Sequence, residues 1–297
     1  MAGSLVSESA IKLICMKNIP TCFLVLIVLS LTGCSKPGFK KGNGALEYQI
    51  VEDISGPVIG KLATVYITYS EATGNGKLLA GTGKFDPQLT TVYATNIKFQ
   101  GDLQDAFKYL SEGDSALVKV SLDSIKKFNN SPLLAKDTSK YMLYTLRIHK
   151  VINQNGKTDS GYLQRVQAYE NEAKLKRKKD EPEKIKRYLA FNKMNYKATS
   201  TGLLYPADLK TVNNTGKELY ISYTVTSLDG LAYLTRYEKI RPDQSRFIGL
   251  KEALTLAPKG IKTKVIIPSH LAYNATGDKF KMPPYTPLIC EFTILNK

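Results

Sequence analysis

The chain repeats itself once, at a separation of about 150 residues, and a repeat of that length restricts the fold to two copies of one unit in tandem. Val65-Tyr66-Ile67-Thr68-Tyr69 answers to Leu219-Tyr220-Ile221-Ser222-Tyr223, and Leu46 and Tyr48 answer to Leu203 and Tyr205. The run LQDAFKYLSEGDSALVKV from Leu103 aligns without a gap on LKEALTLAPKGIKTKVII from Leu250. Tyr144, Leu146 and Ile148 face Cys290, Phe292 and Ile294. Order is kept while the offset drifts, as insertions and deletions in surface loops produce.

Each copy carries the same plan. Short segments alternate apolar and polar residues, as in 218–226, and that period of two marks a half-buried antiparallel strand. A short helix is predicted over 250–256, where Ala253, Leu254 and Leu256 are apolar, and Pro258-Lys259-Gly260 ends it. A dense apolar strand follows at 263–267. The fold class expected is α+β: two domains, each a bent antiparallel sheet around one short helix.

A charged helical segment joins the copies. Tyr162, Val166, Tyr169 and Ala173 make one apolar stripe at helical spacing. A second helix is predicted to open at Asp180-Glu181-Pro182-Glu183, with Asp180 as cap and Glu183 reaching back, and Ile185, Tyr188, Leu189 and Asn192 continue its face. A rigid spacer is the default reading, beside a client arm or a dimerisation element. The basic run 174–179 reads as a solvated helix face.

Residues 1–33 have the pattern of a secretory signal: Lys17, a short apolar run over 22–31, then Leu31-Thr32-Gly33 before Cys34. The apolar run is shorter than the roughly 20 residues that span a bilayer. A cysteine in this setting resembles the bacterial lipobox, which makes Cys34 the lipidated first residue of the mature chain; Met16 is an alternative start. Cleavage leaves Cys290 as the remaining thiol. The expected place is the bacterial cell envelope, lipid-anchored through Cys34, with Ser35 favouring the outer membrane on its periplasmic side. The formal charge of +16 admits anionic lipid or acidic clients, and export argues against nucleic acid as a partner.

One stretch singles out a function. Residues 265–288, VIIPSHLAYNATGDKFKMPPYTPL, together with Tyr223-Thr224, Asp229-Gly230, Ile248-Gly249-Leu250 and Gly260, resemble in their order the FKBP-type peptidyl-prolyl cis-trans isomerases, in the tandem lipoprotein form of Bacteroidetes-type bacteria. The resemblance covers 199–297 and, faintly, 45–151. It implies domains at 45–155 and 199–297, a tether at 34–44 and a helical linker at 156–198. Rotation about an X–Pro bond breaks amide resonance against a barrier of about 18–20 kcal/mol, with no bond cleaved. Desolvation in an aromatic pocket and preorganised donors at the carbonyl suffice for such a step.

Carried over residue by residue, the resemblance implies that Tyr223, Tyr233 and Phe247 wall the pocket and that Leu250 forms its floor where tryptophan is common. Phe247 and Ile248 fall where a backbone amide receives the substrate carbonyl, and the Tyr273 hydroxyl meets the substrate. Tyr273 and Phe247 are the catalytic candidates. Cys290 closes the back of the pocket in place of phenylalanine, Leu234 stands where an aspartate is usual, and Asn274 where glycine is usual. In the first copy Tyr69 and Phe99 are placed around an equivalent hollow, but the strand after Val120 runs SLDSIKKFNN, with no Leu-Ala-Tyr and no Ile-Pro, so that copy is expected to be noncatalytic.

Other chemistries lack support. His149 and His270 with two mature cysteines make no zinc set, neighbouring Ser269 and His270 point apart on a strand, and GTGKF at Gly81 lacks the Gly-Lys-Ser/Thr of a phosphate loop. No cofactor is implied. The expected function is a membrane-anchored isomerase assisting the folding of exported, proline-containing polypeptides. The alternative is a noncatalytic FKBP-like lipoprotein acting as a client-binding chaperone or as a structural module of an envelope complex.

Overall fold

The computed structural model describes residues 38–128, 134, 136–156, 158–277 and 282–296. The signal segment and Cys34 lie outside the described residues. The first sheet comprises β1 (Lys40–Lys41), β2 (Glu47–Glu52), β3 (Ala63–Thr73), β4 (Leu78–Gly81), β5 (Thr90–Tyr93), β6 (Ser115–Ser121) and β7 (Tyr141–Asn153). Its order is β1-β2-β6-β7-β3-β4, with β5 also on β3, and every pairing is antiparallel. A 3₁₀ turn at Gln104–Tyr109 precedes β6 and helix α1 (Leu122–Phe128) follows it.

Helix α2 (Tyr162–Phe191) then leads to β8 (Tyr196–Ala198), β9 (Leu204–Pro206), β10 (Leu219–Ser227) and β11 (Ala232–Ile240). Helix α3 (Ile248–Leu256), β12 (Lys262–Ile267) and β13 (Leu288–Ile294) complete the second half. Read from its far edge, the second sheet runs β8-β9-β12-β13-β10-β11, which repeats the first except that β11 alone stands where β4 and β5 share the edge of β3. The register repeats as well. Tyr69 pairs with Leu146 and Tyr223 with Phe292; Val118 pairs with Tyr144 and Val265 with Cys290. The protein is therefore α+β, with one bent antiparallel sheet and one core per half.

Alternation explains both cores. In β6, Ala116, Val118 and Val120 point inward against Phe107, Leu146 and Ile148, and in β10, Leu219, Ile221, Tyr223 and Val225 do the same beneath α3. Burying each such aliphatic side chain is worth about 1.5–3 kcal/mol. In β3 the alternation fails, because Ala63 to Ile67 are all buried. Helix α2 is the cause: the Tyr162 hydroxyl bonds Thr64 Oγ1, the Tyr66 hydroxyl donates to Glu170 at 3.0 Å, and the rings of Tyr66 and Tyr169 lie 4.7 Å apart. The same helix continues onto the second half, where Ile185 and Tyr188 pack with Ile266, Ile289 and Leu228.

Three local expectations are corrected. No second helix opens at Asp180: α2 runs unbroken through Pro182. Proline inside a helix removes one backbone bond and costs about 3 kcal/mol. Here Arg177, Glu181 and Lys184 hold the chain on both sides of it through tertiary bonds. Asp180 takes Lys176 at 2.6 Å instead of capping, and Glu183 faces Lys186. Second, 174–179 is not wholly solvated, since Arg177 turns inward. Third, the segment after Val120 is no strand beyond Ser121 but helix α1.

Candidate functional site

The second half gathers the expected site residues around the buried face of β10. Tyr223, Phe247, Leu250 and Cys290 are buried in one cluster, and Tyr233, Leu234 and Tyr273 pack half-buried against it. Phe247 is the last extended residue before α3, so its ring drops into the cluster while the helix begins behind it. Gly249 allows α3 to lie close on β12, because a Cβ there collides with Ile267. The Ile248 side chain is 61% exposed, which leaves the site its backbone N–H, one of the first-turn amides that no preceding turn can take.

The Tyr273 ring approaches Phe247 with centroids 5.8 Å apart and planes at 50°. Its loop is held by backbone bonds: Asn274 N–H donates to Ser269 O at 2.8 Å, and Tyr285 N–H donates to Asn274 O at 2.8 Å. Asn274 and Tyr285 both adopt left-handed backbone, with φ of 48° and 55°. Asparagine tolerates that region better than most residues, which accounts for its standing where glycine is usual. Burial pushes the Cys290 thiol up to about 12, so it serves the pocket as a small neutral group.

Two groups that matter here are absent from the expected set. The first is Glu238. Leu234 does leave the pocket without a carboxylate at its own position, opposite Val225, but Glu238 lies on the same face of β11 two alternations further on. The Tyr223 hydroxyl donates to Glu238 Oε1 at 2.8 Å. Burial, then the Glu238 carboxylate, raise the Tyr223 pKa to about 12, while Arg246 opposes them. Period-two counting along 232–240 was the signal that could have found Glu238.

The second is a clamp from α2. Glu181, itself buried, accepts the Ser269 N–H at 2.5 Å and the Ser269 hydroxyl at 2.6 Å. Arg177 donates to Pro284 O at 3.0 Å and to Thr286 Oγ1 at 3.0 Å. Both ends of the Tyr273 loop are thus fastened to one face of the helix. Arg177 and Lys184 also meet Asp86 of the first half, whose side chain is completely buried, at 2.8 and 2.7 Å. Burial first, and then the charge of Arg177, lower the Lys184 pKa. Asp229, at the β10–β11 turn, accepts the N–H groups of Lys84, Phe85 and Asp86 at 2.6, 2.8 and 2.9 Å. No local sequence pattern announces these long-range bonds.

Residues 211–295 match the family model described as FKBP-type peptidyl-prolyl cis-trans isomerase. This region is an FKBP-type domain. The FKBP-type isomerase FkpA of Buchnera aphidicola subsp. Acyrthosiphon pisum is 32% identical over 107 residues, which cover 34% of this chain and 44% of that relative. The chain thus spans under half the length of this curated relative. Among solved structures, a peptidyl-prolyl isomerase of Pseudomonas syringae pv. tomato is 24% identical, with 40% of this chain and 91% of that one covered and a TM-score of 0.34. FkpA from Escherichia coli is 24% identical over 47% of this chain and 73% of its own, with a TM-score of 0.34.

The first half resembles the FKBP-type domain in strand order but not in its hollow. There Tyr69 and Phe99 line an open cavity of about 610 Å³ with Leu103, Phe128 and Tyr144. The rings of Phe99 and Phe128 stack at 5.0 Å, and the Tyr144 hydroxyl donates to its cross-strand neighbour Glu71 at 3.3 Å along the sheet wall of the cavity. Among the described residues no group of three metal-ligating side chains occurs, and no helix is long and apolar enough to cross a membrane.

Proposed function

We propose that the FKBP-type domain catalyses cis–trans isomerisation of X–Pro bonds in unfolded polypeptides, in a chain held to the bacterial cell envelope by lipid on Cys34. The observation that carries this reading is the convergence of Tyr223, Phe247, Leu250 and Tyr273 on one dry aromatic face beside the first turn of α3. A proline ring held there loses the water around its amide. A twisted amide loses resonance and with it part of its charge separation, so an apolar wall favours it, while the free amide at Ile248 and the Tyr273 hydroxyl can hold the carbonyl oxygen in place. The Glu238 carboxylate accepts the hydrogen bond of the Tyr223 hydroxyl and so fixes the orientation of that ring. No acid or base has to transfer a proton.

Proline-limited refolding of a model protein, followed with the full chain as catalyst, tests the reading. Acceleration of the slow phase that falls with Tyr273→Phe is expected. An unaccelerated slow phase, together with binding of a permanently unfolded protein, transfers the assignment to a client-binding chaperone. Cys34→Ala is expected to move the protein from the membrane fraction to the soluble envelope fraction; unchanged membrane association removes the lipid anchor from the proposal.

A further inference from the structure

An unprotected sheet edge lies beside the FKBP-type pocket. Strand β4, Leu78-Leu79-Ala80-Gly81, ends the first sheet and pairs on one side with β3. Exposed edges normally carry charge or proline, because their free N–H and C=O groups recruit other strands. The outermost strands β1, β8 and β11 follow that rule: β1 is Lys40-Lys41, β8 holds Lys197, and β11 holds Arg236, Glu238 and Lys239, whereas the short β5, Thr90-Thr91-Val92-Tyr93, is a further uncharged edge on β3. Strand β4 holds neither, and Leu78 at its start is 67% exposed.

The edge also forms the wall of a cavity of about 1010 Å³ between the halves, whose opposite wall is the turn carrying Asp229 and Leu231. Leu231 is 58% exposed, so an apolar side chain stands at each flank. Tyr233 lines this cavity and also packs on the core cluster of the FKBP-type pocket. Tyr69 and Thr90 line it and the first-half hollow alike. The cleft therefore shares walls with the FKBP-type cluster on one side and with the first-half hollow on the other.

We propose that β4 is a docking strand for an extended, apolar segment of the client polypeptide, the segment that flanks the proline held in the FKBP-type pocket. The assignment rests on the isomerase reading for the position of that proline. Three observations select this occupant. An uncharged open edge offers a row of backbone donors and acceptors, which an extended chain matches by adding a strand. A cleft that shares walls with the FKBP-type cluster and with the first-half hollow suits a long flexible molecule rather than a compact one. Exposed Leu78 and Leu231 call for apolar side chains at the flanks.

The test uses the full chain and a fluorescent peptide of about ten residues, rich in valine and threonine with one proline, in an extended form of about 33 Å. The double variant L78K/A80K adds the charges that edges usually carry, at exposed positions. It is expected to weaken peptide binding about tenfold or more, and Val51→Lys, on an exposed position of the same sheet, is expected to keep the wild-type affinity. N-methylation of alternate peptide amides is expected to abolish the difference between wild type and L78K/A80K by removing strand pairing. Equal affinity of wild type and L78K/A80K for the unmodified peptide overturns the proposal. So does a wild-type dimer that L78K/A80K converts to monomer with peptide affinity retained, because a second copy then covers the edge. Turnover of a proline tetrapeptide by the wild-type chain decides the isomerase reading separately.

Discussion

The two halves share one strand order and one register, yet they enclose different interiors. In the second, Tyr223, Phe247, Leu250 and Cys290 close on one another and Tyr273 leans over them. In the first, the same strands leave a hollow of about 610 Å³, with the Phe99–Phe128 stack at its rim and the Tyr144–Glu71 bond along its sheet wall. The sheet therefore sets where a pocket forms, and the connections between strands set what the pocket is. After β12 the chain makes a 3₁₀ turn at Ser269–Leu271 that Glu181 grips; after β6 it makes helix α1 instead. A clamped loop presents a hydroxyl at a defined point, whereas the unclamped half offers a wide apolar surface.

The largest expected effect comes from cutting the bond between the halves. Asp86→Ala leaves Lys184 buried without its carboxylate, and urea unfolding should show a loss of about 3 kcal/mol or more. A loss below about 1 kcal/mol would mean that the Asp86 ion pairs add little to the apolar contacts and Asp229 bonds that also join the halves. Glu181→Ala comes next. It strands two donors of Ser269 and should cost about 2 kcal/mol. If the clamp positions Tyr273, removing the Tyr273 hydroxyl in the Glu181→Ala background should cost less activity than in the wild type. Additive losses in that double-mutant cycle would reduce Glu181 to a packing role.

Tyr273→Phe alone should lower kcat/KM for a proline peptide about tenfold, equivalent to about 1.4 kcal/mol, while Tyr144→Phe in the first half leaves turnover unchanged. A loss from Tyr144→Phe would show that both halves take part in the reaction. Cys290 gives a pH signature for the second half. Its folded thiol keeps a proton to about 12 whereas an exposed thiol releases it near 9, so its contribution to stability is complete below 9 and declines as pH rises between those values. Cys290→Ala should flatten that decline in thermal unfolding, and iodoacetamide at pH 8 should leave the native thiol unmodified. The smallest effect belongs to Glu238→Gln: the Tyr223 titration should move down yet stay above that of a free tyrosine, because burial is the larger cause, and kcat/KM should fall by less than about threefold.

Much of this architecture is legible in the chain. Matching pairs such as Tyr69 with Tyr223 and Leu146 with Phe292 can be aligned by eye, and they occupy matching ladder positions because side chains alternate with a strict period of two. Helix α3 and its stop at Pro258 follow from local rules. The fully buried start of β3 does not, since its second face is covered by Tyr162 and Tyr169 from about a hundred residues away. Nor does the continuity of α2: a cap pattern around Asp180 is a local preference worth about 1 kcal/mol, and buried bonds from Glu181 and Lys184 on either side of Pro182 outweigh it.

The order of residues thus establishes two copies of one sheet and the apolar and aromatic groups that face inward from them, because periodicity and turn chemistry act over a few residues. It leaves open how the Tyr273 loop is held over the second interior. That is decided when α2 crosses both sheets and its carboxylate and guanidinium reach the Tyr273 loop, since hydrogen bonds between distant segments depend on a geometry that exists only after the chain has packed.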